Sequence, residues 1–193
     1  DELFSNDMPL LTAAADTVGG SLYFGTRNGQ LLQYSNYDWK VIIDANRYID
    51  GRIRALASLG DNLFIGGKGV WKWNKPTGKL TRYPGFREAK VSGFHVSRDN
   101  RLFLATDKAV WSFTDRGWTE FWRFSAVDRS VRSMFWRPGV GLYVGTEDGL
   151  ALVSPAGVVV ERSLPGSIVT ALTPGAAETL WAGTQQHGLK YFN

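Results

Sequence analysis

Apolar residues in this chain do not recur at helical spacing; they gather in short runs separated by turn residues, and one such run comes back five times. Leu180-Trp181-Ala182-Gly183-Thr184 has four relatives: Leu22-Tyr23-Phe24-Gly25-Thr26, Leu63-Phe64-Ile65-Gly66-Gly67, Leu102-Phe103-Leu104-Ala105-Thr106 and Leu142-Tyr143-Val144-Gly145-Thr146. Their leucines lie 41, 39, 40 and 38 residues apart. Consecutive apolar side chains along a strand point to opposite faces, so this strand requires cover on both sides. Its fourth position is small for lack of room rather than for a positive φ, because Ala105 stands there in one copy and alanine avoids that conformation.

Around this strand, b, the rest of each copy reads the same way. A polar turn, "RNG" at 27–29 or "EDG" at 147–149, leads to strand c: Gln30–Tyr34, Val70–Trp73, Val110–Phe113, Leu150–Val153 and Leu189–Phe192. Looser loops then lead to strand d at Trp39–Ile43, Leu80–Tyr83, Trp118–Phe124 and Val158–Arg162, with no fourth strand after the fifth copy. Strand a precedes b at Leu10–Ala15, Ile53–Ala57, Val91–Val96, Val131–Trp136 and Ile168–Leu172. Four strands in about 40 residues is the size of a propeller blade. The reading is an all-β, five-bladed β-propeller of four antiparallel strands per blade, one domain over 1–193, with blades at 6–45, 46–86, 87–125, 126–163 and 164–193 plus 1–5. The strand Glu2-Leu3-Phe4-Ser5 is expected to complete the last blade and close the ring; the alternative is a fragment of a seven- or eight-bladed propeller.

The runs "LWAGTQQHGLKYF", "LYFGTRNGQLLQY" and "LYVGTEDGLALV" resemble the two-component-regulator type of propeller repeat, found in periplasmic sensor regions of bacterial hybrid histidine kinases and in other exported bacterial proteins. The resemblance spans all five copies. Copies two and three depart from it, with Gly67 in place of Thr and "ATDKAV" in place of the Gly-Thr turn. It implies an exported bacterial module, periplasmic or secreted, that senses or holds a glycan fragment or a partner protein. No kinase or receiver segment accompanies the repeats.

Composition adds to this picture in two places. Eight Trp, eleven Phe and seven Tyr suit pleated surfaces, and the absence of Cys excludes disulfides and thiolate metal sites. The net charge of +4 is spread along the chain without a basic block, which disfavours nucleic acid, and no apolar run is long enough to span a bilayer as a helix. The domain is expected to be monomeric.

Candidate chemistry is sparse. His95 alternates with Phe94 and Val96 on a strand a and reads as a hydrogen-bonded structural histidine; His187 reads as a solvated loop residue. Neither belongs to a metal motif, and "GGKG" at 66–69 reads as a shortened hairpin turn rather than a phosphate loop. No cofactor, metal or catalytic set is expected. Three residues ahead of each strand a stand Asp7, Asp50, Glu88, Asp128 and Pro165. An Asp there commonly bonds its own turn, whereas the competing reading is a glycoside-processing enzyme using two of these carboxylates. A sugar-binding lectin with equivalent sites fits less well, because the b–c turns differ from copy to copy.

In a propeller the b–c turns and d–a loops share one face, around the channel mouth. There the acids Asp7, Asp50, Glu88, Asp107, Asp128, Glu147 and Asp148 meet the bases Arg27, Arg47, Arg52, Lys68, Arg87, Lys90, Lys108 and Arg129, a mixed rim suited to a polar ligand or a protein partner. The expected function is therefore non-catalytic recognition or scaffolding through Arg27, Tyr48, Asp50, Arg52, Lys68, Arg87 and Asp128. Among the aromatics, Trp71 and Trp111 are expected in the core. Trp118 and Trp122, four apart on a strand d, are expected to share a face, and Trp136, ahead of "RPG", is expected to be partly exposed with Tyr48.

Overall fold

The computed structural model describes residues 9–16, 18–44, 47–49, 51–125, 130–176 and 178–192. The chain divides into two compact units, Asp1–Phe94 and His95–Asn193. Among the described residues nineteen strands form five antiparallel sheets in chain order. Sheet I contains β1 (Leu10–Ala15), β2 (Leu22–Thr26), β3 (Leu31–Ser35) and β4 (Asp38–Ile43). Sheet II contains β5 (Ala55–Leu59), β6 (Asn62–Gly67), β7 (Gly69–Asn74) and β8 (Leu80–Arg82), followed by a 3-10 turn at Pro84–Phe86. Sheet III contains β9 (Val91–Val96), β10 (Leu102–Thr106), β11 (Ala109–Thr114) and β12 (Gly117–Arg123). Sheet IV contains β13 (Ser133–Arg137), β14 (Gly141–Thr146), β15 (Gly149–Val153) and β16 (Val159–Ser163). Sheet V contains β17 (Val169–Pro174), β18 (Leu180–Thr184) and β19 (Gly188–Phe192). No α-helix occurs among the described residues. The strand expected at Glu2–Ser5 lies outside them.

Each sheet is a meander in sequence order, as the run-and-turn pattern requires. The Leu-aromatic strand is the second of each sheet, and in β10 and β14 every residue is buried. In β2 and β18 burial is less complete. Ile43, Ile49, Ile53, Leu63, Ile65 and Trp71 form the core of the first unit. In the second unit, Phe103, Val110, Trp122, Met134 and Val144 pack between sheets III and IV, and Tyr143, Val169 and Leu180 between sheets IV and V.

The small fourth position of strand b is where consecutive sheets touch. A Cβ added to Gly66 would lie 2.5 Å from Val91 Cγ1 at the start of β9, and one added to Gly145 would lie 2.7 Å from Val169 Cγ1 at the start of β17. At Gly25 it would run into the Ile53 side chain, just ahead of β5. None of these glycines has a positive φ. Crowding by the first strand of the next sheet explains the position, as Ala105 foretold. Gly183 differs, since a Cβ there would only touch that of Ala171 at 3.5 Å.

Three of the four fourth strands, β8 excepted, carry an irregularity that the sequence pattern did not disclose. Opposite Leu31/Leu32, Val110/Trp111 and Leu152/Val153 the register shifts by one residue, which places a β-bulge in β4, β12 and β16. In β12 this separates Trp118, opposite Phe113, from Trp122, opposite Val110, so the two rings face opposite ways rather than sharing a face. Trp122 is buried in the core and Trp118 packs edge-on to Phe113 at 5.1 Å. Trp71 is buried as expected, whereas Trp111 is half-buried.

One buried ion pair ties the β1–β2 loop to sheet II. Lys75 Nζ lies 2.6 Å from Asp16 Oδ2 and 3.2 Å from Ser58 Oγ. Burial alone would raise the Asp16 pKa, but the Lys75 hydrogen bond and the backbone N–H groups of Gly19 and Val18 outweigh it and hold the carboxyl below its ordinary value.

Crowding makes a contrast available. Gly66→Ala is expected to lower the unfolding free energy by about 1–3 kcal/mol through overpacking, while Gly183→Ala should change it by less than about 0.5 kcal/mol. Urea denaturation of both variants measures this; equal losses would show that room at the fourth position is not the constraint.

Candidate ligand-binding surface

The fifth residue of strand b organises the turn that follows it. Thr106 Oγ1 and Thr146 Oγ1 donate to the carbonyls of Ala109 and Gly149 at 3.0 Å, and Thr184 Oγ1 donates to Gly188 O at 2.8 Å. The same hydroxyls accept turn N–H groups, from Asp148 at 3.1 Å and from His187 at 2.9 Å. In the first copy Thr26 Oγ1 accepts the Gln30 N–H at 2.9 Å and donates to Asn28 Oδ1. A hydroxyl at this spot closes the hairpin by bonding its own backbone. Gly67 replaces it in the second copy because a Cβ there would sit 2.5 Å from Arg52 O.

In the first unit these turns are seated on the loops that lead into the following sheets. Gly29, with φ +78°, lies so close to the backbone that a Cβ would meet Ile49 O and come within 2.6 Å of Gly51 O. The Ile53 N–H donates to Thr26 O at 2.9 Å, and the Gly69 N–H to Ala89 O at 3.0 Å. Buried Phe86 anchors the second loop, and Arg82 stacks over Trp71 at 5.0 Å while donating to Arg87 O at 3.0 Å. Arg27, Tyr48, Arg52, Lys68 and Arg87 therefore stand on turns and loops whose backbones touch one another, and all five are exposed. Arg27, Arg52 and Arg87 form no ion pair among the described residues. Lys68 lies 3.9 Å from Glu88, and the Arg47 guanidinium stacks on Tyr48 at 5.2 Å. Asp50 and Asp128, like Asp7, lie outside the described residues.

Loops and turns of the second unit meet in the same fashion, with side chains contributing. Asp148 Oδ1 accepts the Gly166 N–H at 3.0 Å, Gln186 Oε1 accepts the Ile168 N–H at 3.1 Å, and Glu147 pairs with Arg132. The exposed ring of His187 reaches Ser167 Oγ at 3.0 Å through Nδ1. Asp148 and Gln186 thus hold backbone, while Glu147 and His187 are engaged with side chains. No cluster of three or more His, Asp or Glu side chains able to hold a metal ion occurs among the described residues.

His95 is a structural histidine with a definite partner. β13 is the first strand of its sheet, so alternate N–H groups along it point away from the ladder. His95 Nε2 accepts one of them, from Trp136, at 3.1 Å. Trp136 is 3% exposed, not partly exposed as expected from the sequence. Its indole N–H donates to Asp99 Oδ2 at 3.3 Å, its ring carries the Arg101 guanidinium at 4.6 Å, and Phe103 packs against it at 5.3 Å. Alternation of Met134 and Trp136 with half-buried Ser133 and Phe135 was the signal available for this. Burial lowers the His95 pKa to about 4, with the Asp99 charge pulling the other way.

Neither a family model nor a curated protein matches the sequence. Solved structures do. The extracellular domain of the hybrid two-component system BT4673 from B. thetaiotaomicron aligns over 100% of this chain with a TM-score of 0.78 at 18% identity. PorZ, a surface component of the type-IX secretion system of Porphyromonas gingivalis, aligns over 95% at a TM-score of 0.78 and 15% identity. The extracellular domain of the B. thetaiotaomicron system BT3049 aligns over 95% at 0.74 and 17%. The chain spans 27%, 32% and 28% of those three chains respectively. These likenesses bear out the resemblance to the two-component-regulator type of propeller repeat, and at such identities they concern the fold.

The His95 environment sets a pH dependence. Unfolded, the ring binds a proton near pH 6.5; folded, it stays neutral until about pH 4. Its contribution to stability is thus complete above pH 6.5 and is lost as pH falls from there toward 4, by at most about 3 kcal/mol. In His95→Gln, which keeps an acceptor for the Trp136 N–H but cannot titrate, urea denaturation across this range should show a slope smaller by close to one proton. An unchanged slope would contradict the assignment.

Proposed function

We propose that the five sheets are the blades of a five-bladed β-propeller serving as a non-catalytic recognition module outside the bacterial cytoplasm. Its binding face is the one that carries the b–c turns and d–a loops, and it takes a polar ligand or partner rich in negative charge. The observation that carries this reading is the seating of turn on loop in the first unit, where Thr26 O, Gly29 and Gly69 fix the backbone that bears Arg27, Arg52 and Arg87, whose guanidinium groups form no ion pair among the described residues. Cations on a rigid support lose little freedom on binding, which is how preorganisation raises affinity. The mixed rim read from the sequence would be completed by Asp50 and Asp128. Support for an extracytoplasmic sensor-type role comes from the neighbours, two of which are extracellular domains of two-component systems.

Glu88 favours recognition over glycoside chemistry. It pairs loosely with Lys68, with side-chain exposures of 74% and 57%, whereas a catalytic acid needs an apolar or like-charged setting that holds its proton. Binding to an array of neutral and acidic oligosaccharides and acidic peptides, at low and physiological salt, tests the proposal. Wild type should retain acidic members, and the triple variant Arg27→Ala/Arg52→Ala/Arg87→Ala should lose at least about tenfold in affinity with an unchanged melting temperature. Full binding by the triple variant would place recognition elsewhere.

A further inference from the structure

At the opposite, C-terminal ends of β9, β13 and β17 the second unit holds a cavity of about 520 Å³. Its volume is in the range of small-molecule sites. Met134, Phe135, Leu172, Pro138 and Pro174 supply apolar walls, and no Asp, Glu, Asn or Gln lines it. Two guanidinium groups do: Arg98 and Arg137. Arg137 stacks on Tyr143 at 5.3 Å, and neither arginine forms an ion pair among the described residues. Arg101, three residues beyond Arg98, is by contrast neutralised by Asp99 at 3.3 Å.

The Ser97 hydroxyl, which also lines the cavity, is engaged by Asp99 at 2.5 Å, and the third titratable group is His95. Because Nε2 accepts the Trp136 N–H, the ring proton resides on Nδ1, which is a donor. Every titratable or amide side chain lining the cavity is thus a donor, and two of them carry positive charge. A neutral sugar presents hydroxyls that ask for acceptors as well as donors, and this lining offers no side-chain carboxylate or carboxamide to answer them. A carboxylate is an acceptor only, and its two oxygens match a guanidinium fork. Phe135, whose ring meets the His95 ring edge-on at 6.1 Å, adds a flat apolar wall for the body that carries the carboxylate.

We propose that this cavity binds a small aromatic carboxylate, with its ring system against Phe135, Met134 and Leu172 and its carboxylate on Arg98 and Arg137. The cavity shares no residue with the set Arg27, Arg52 and Arg87, so that set can fail its own test without touching this proposal.

Calorimetry with 2-naphthylacetate as the probe tests the proposal, with 2-naphthylacetamide and inorganic phosphate as comparisons. The acid should bind saturably, at least about tenfold tighter than the amide, and phosphate at equal concentration should not displace it. Arg98→Gln, at an exposed position, should weaken the acid alone, and Arg98→Gln/Arg137→Gln should abolish its advantage over the amide. Leu172→Trp, which fills the cavity and leaves both arginines, should weaken acid and amide alike. Equal binding of acid and amide, displacement by phosphate, binding indifferent to Arg98→Gln, or no saturation below about 5 mM would each overturn it.

Discussion

The fold depends on the absence of a side chain. At the fourth residue of the second strand in a sheet, the first strand of the next sheet comes so near that Val91 fills the space over Gly66 and Val169 that over Gly145. A close-packed interior transmits such contacts without slack, so this one distance sets the spacing between consecutive sheets within a unit. The large residues on either side, Leu63 and Ile65 or Leu142 and Val144, can then be covered from both faces. Each repeat thereby combines the bulkiest and the smallest residues of the chain within five positions.

What packing fixes, the loops inherit. With the sheets spaced, the Thr26 carbonyl meets the Ile53 N–H and the Ala89 carbonyl meets the Gly69 N–H, and the turns of one sheet rest on the approach to the next. The proposed recognition roles rest on side chains that the backbone does not need: Arg27, Arg52 and Arg87 on the turns and loops of the first unit, and Arg98, Arg137 and His95 lining the cavity of the second. Several carboxylates, in contrast, are engaged: Asp16 with Lys75, Asp99 with Arg101 and the Trp136 indole, Asp148 with the Gly166 N–H. The guanidinium groups that form no ion pair among the described residues are the physical basis for seeking acidic ligands.

Much of this was legible in the sequence because a repeat displays its constraints several times. Ala105 among four glycines separated crowding from backbone conformation, and the leucine spacing located all five second strands. The bulges escaped notice, since an inserted residue such as Phe121 leaves an apolar run looking regular while reversing the face of Trp122. His95 was recognised as structural, but its partner was not, because a backbone N–H has no letter in the sequence. Trp136 was misplaced by weighting the "RPG" that follows it over the alternation that precedes it. The Asp16–Lys75 pair and the cavity between β9, β13 and β17 join residues tens of positions apart, which local pattern does not report.

The most direct test of the spacing constraint is a double-mutant cycle between Gly66 and Val91. If the two residues compete for one space, Val91→Ala should rescue Gly66→Ala, with a coupling of at least about 1 kcal/mol in urea denaturation. Additive losses within about 0.5 kcal/mol would show that the sheets are not held by that contact and that the loops do not inherit their placement from it.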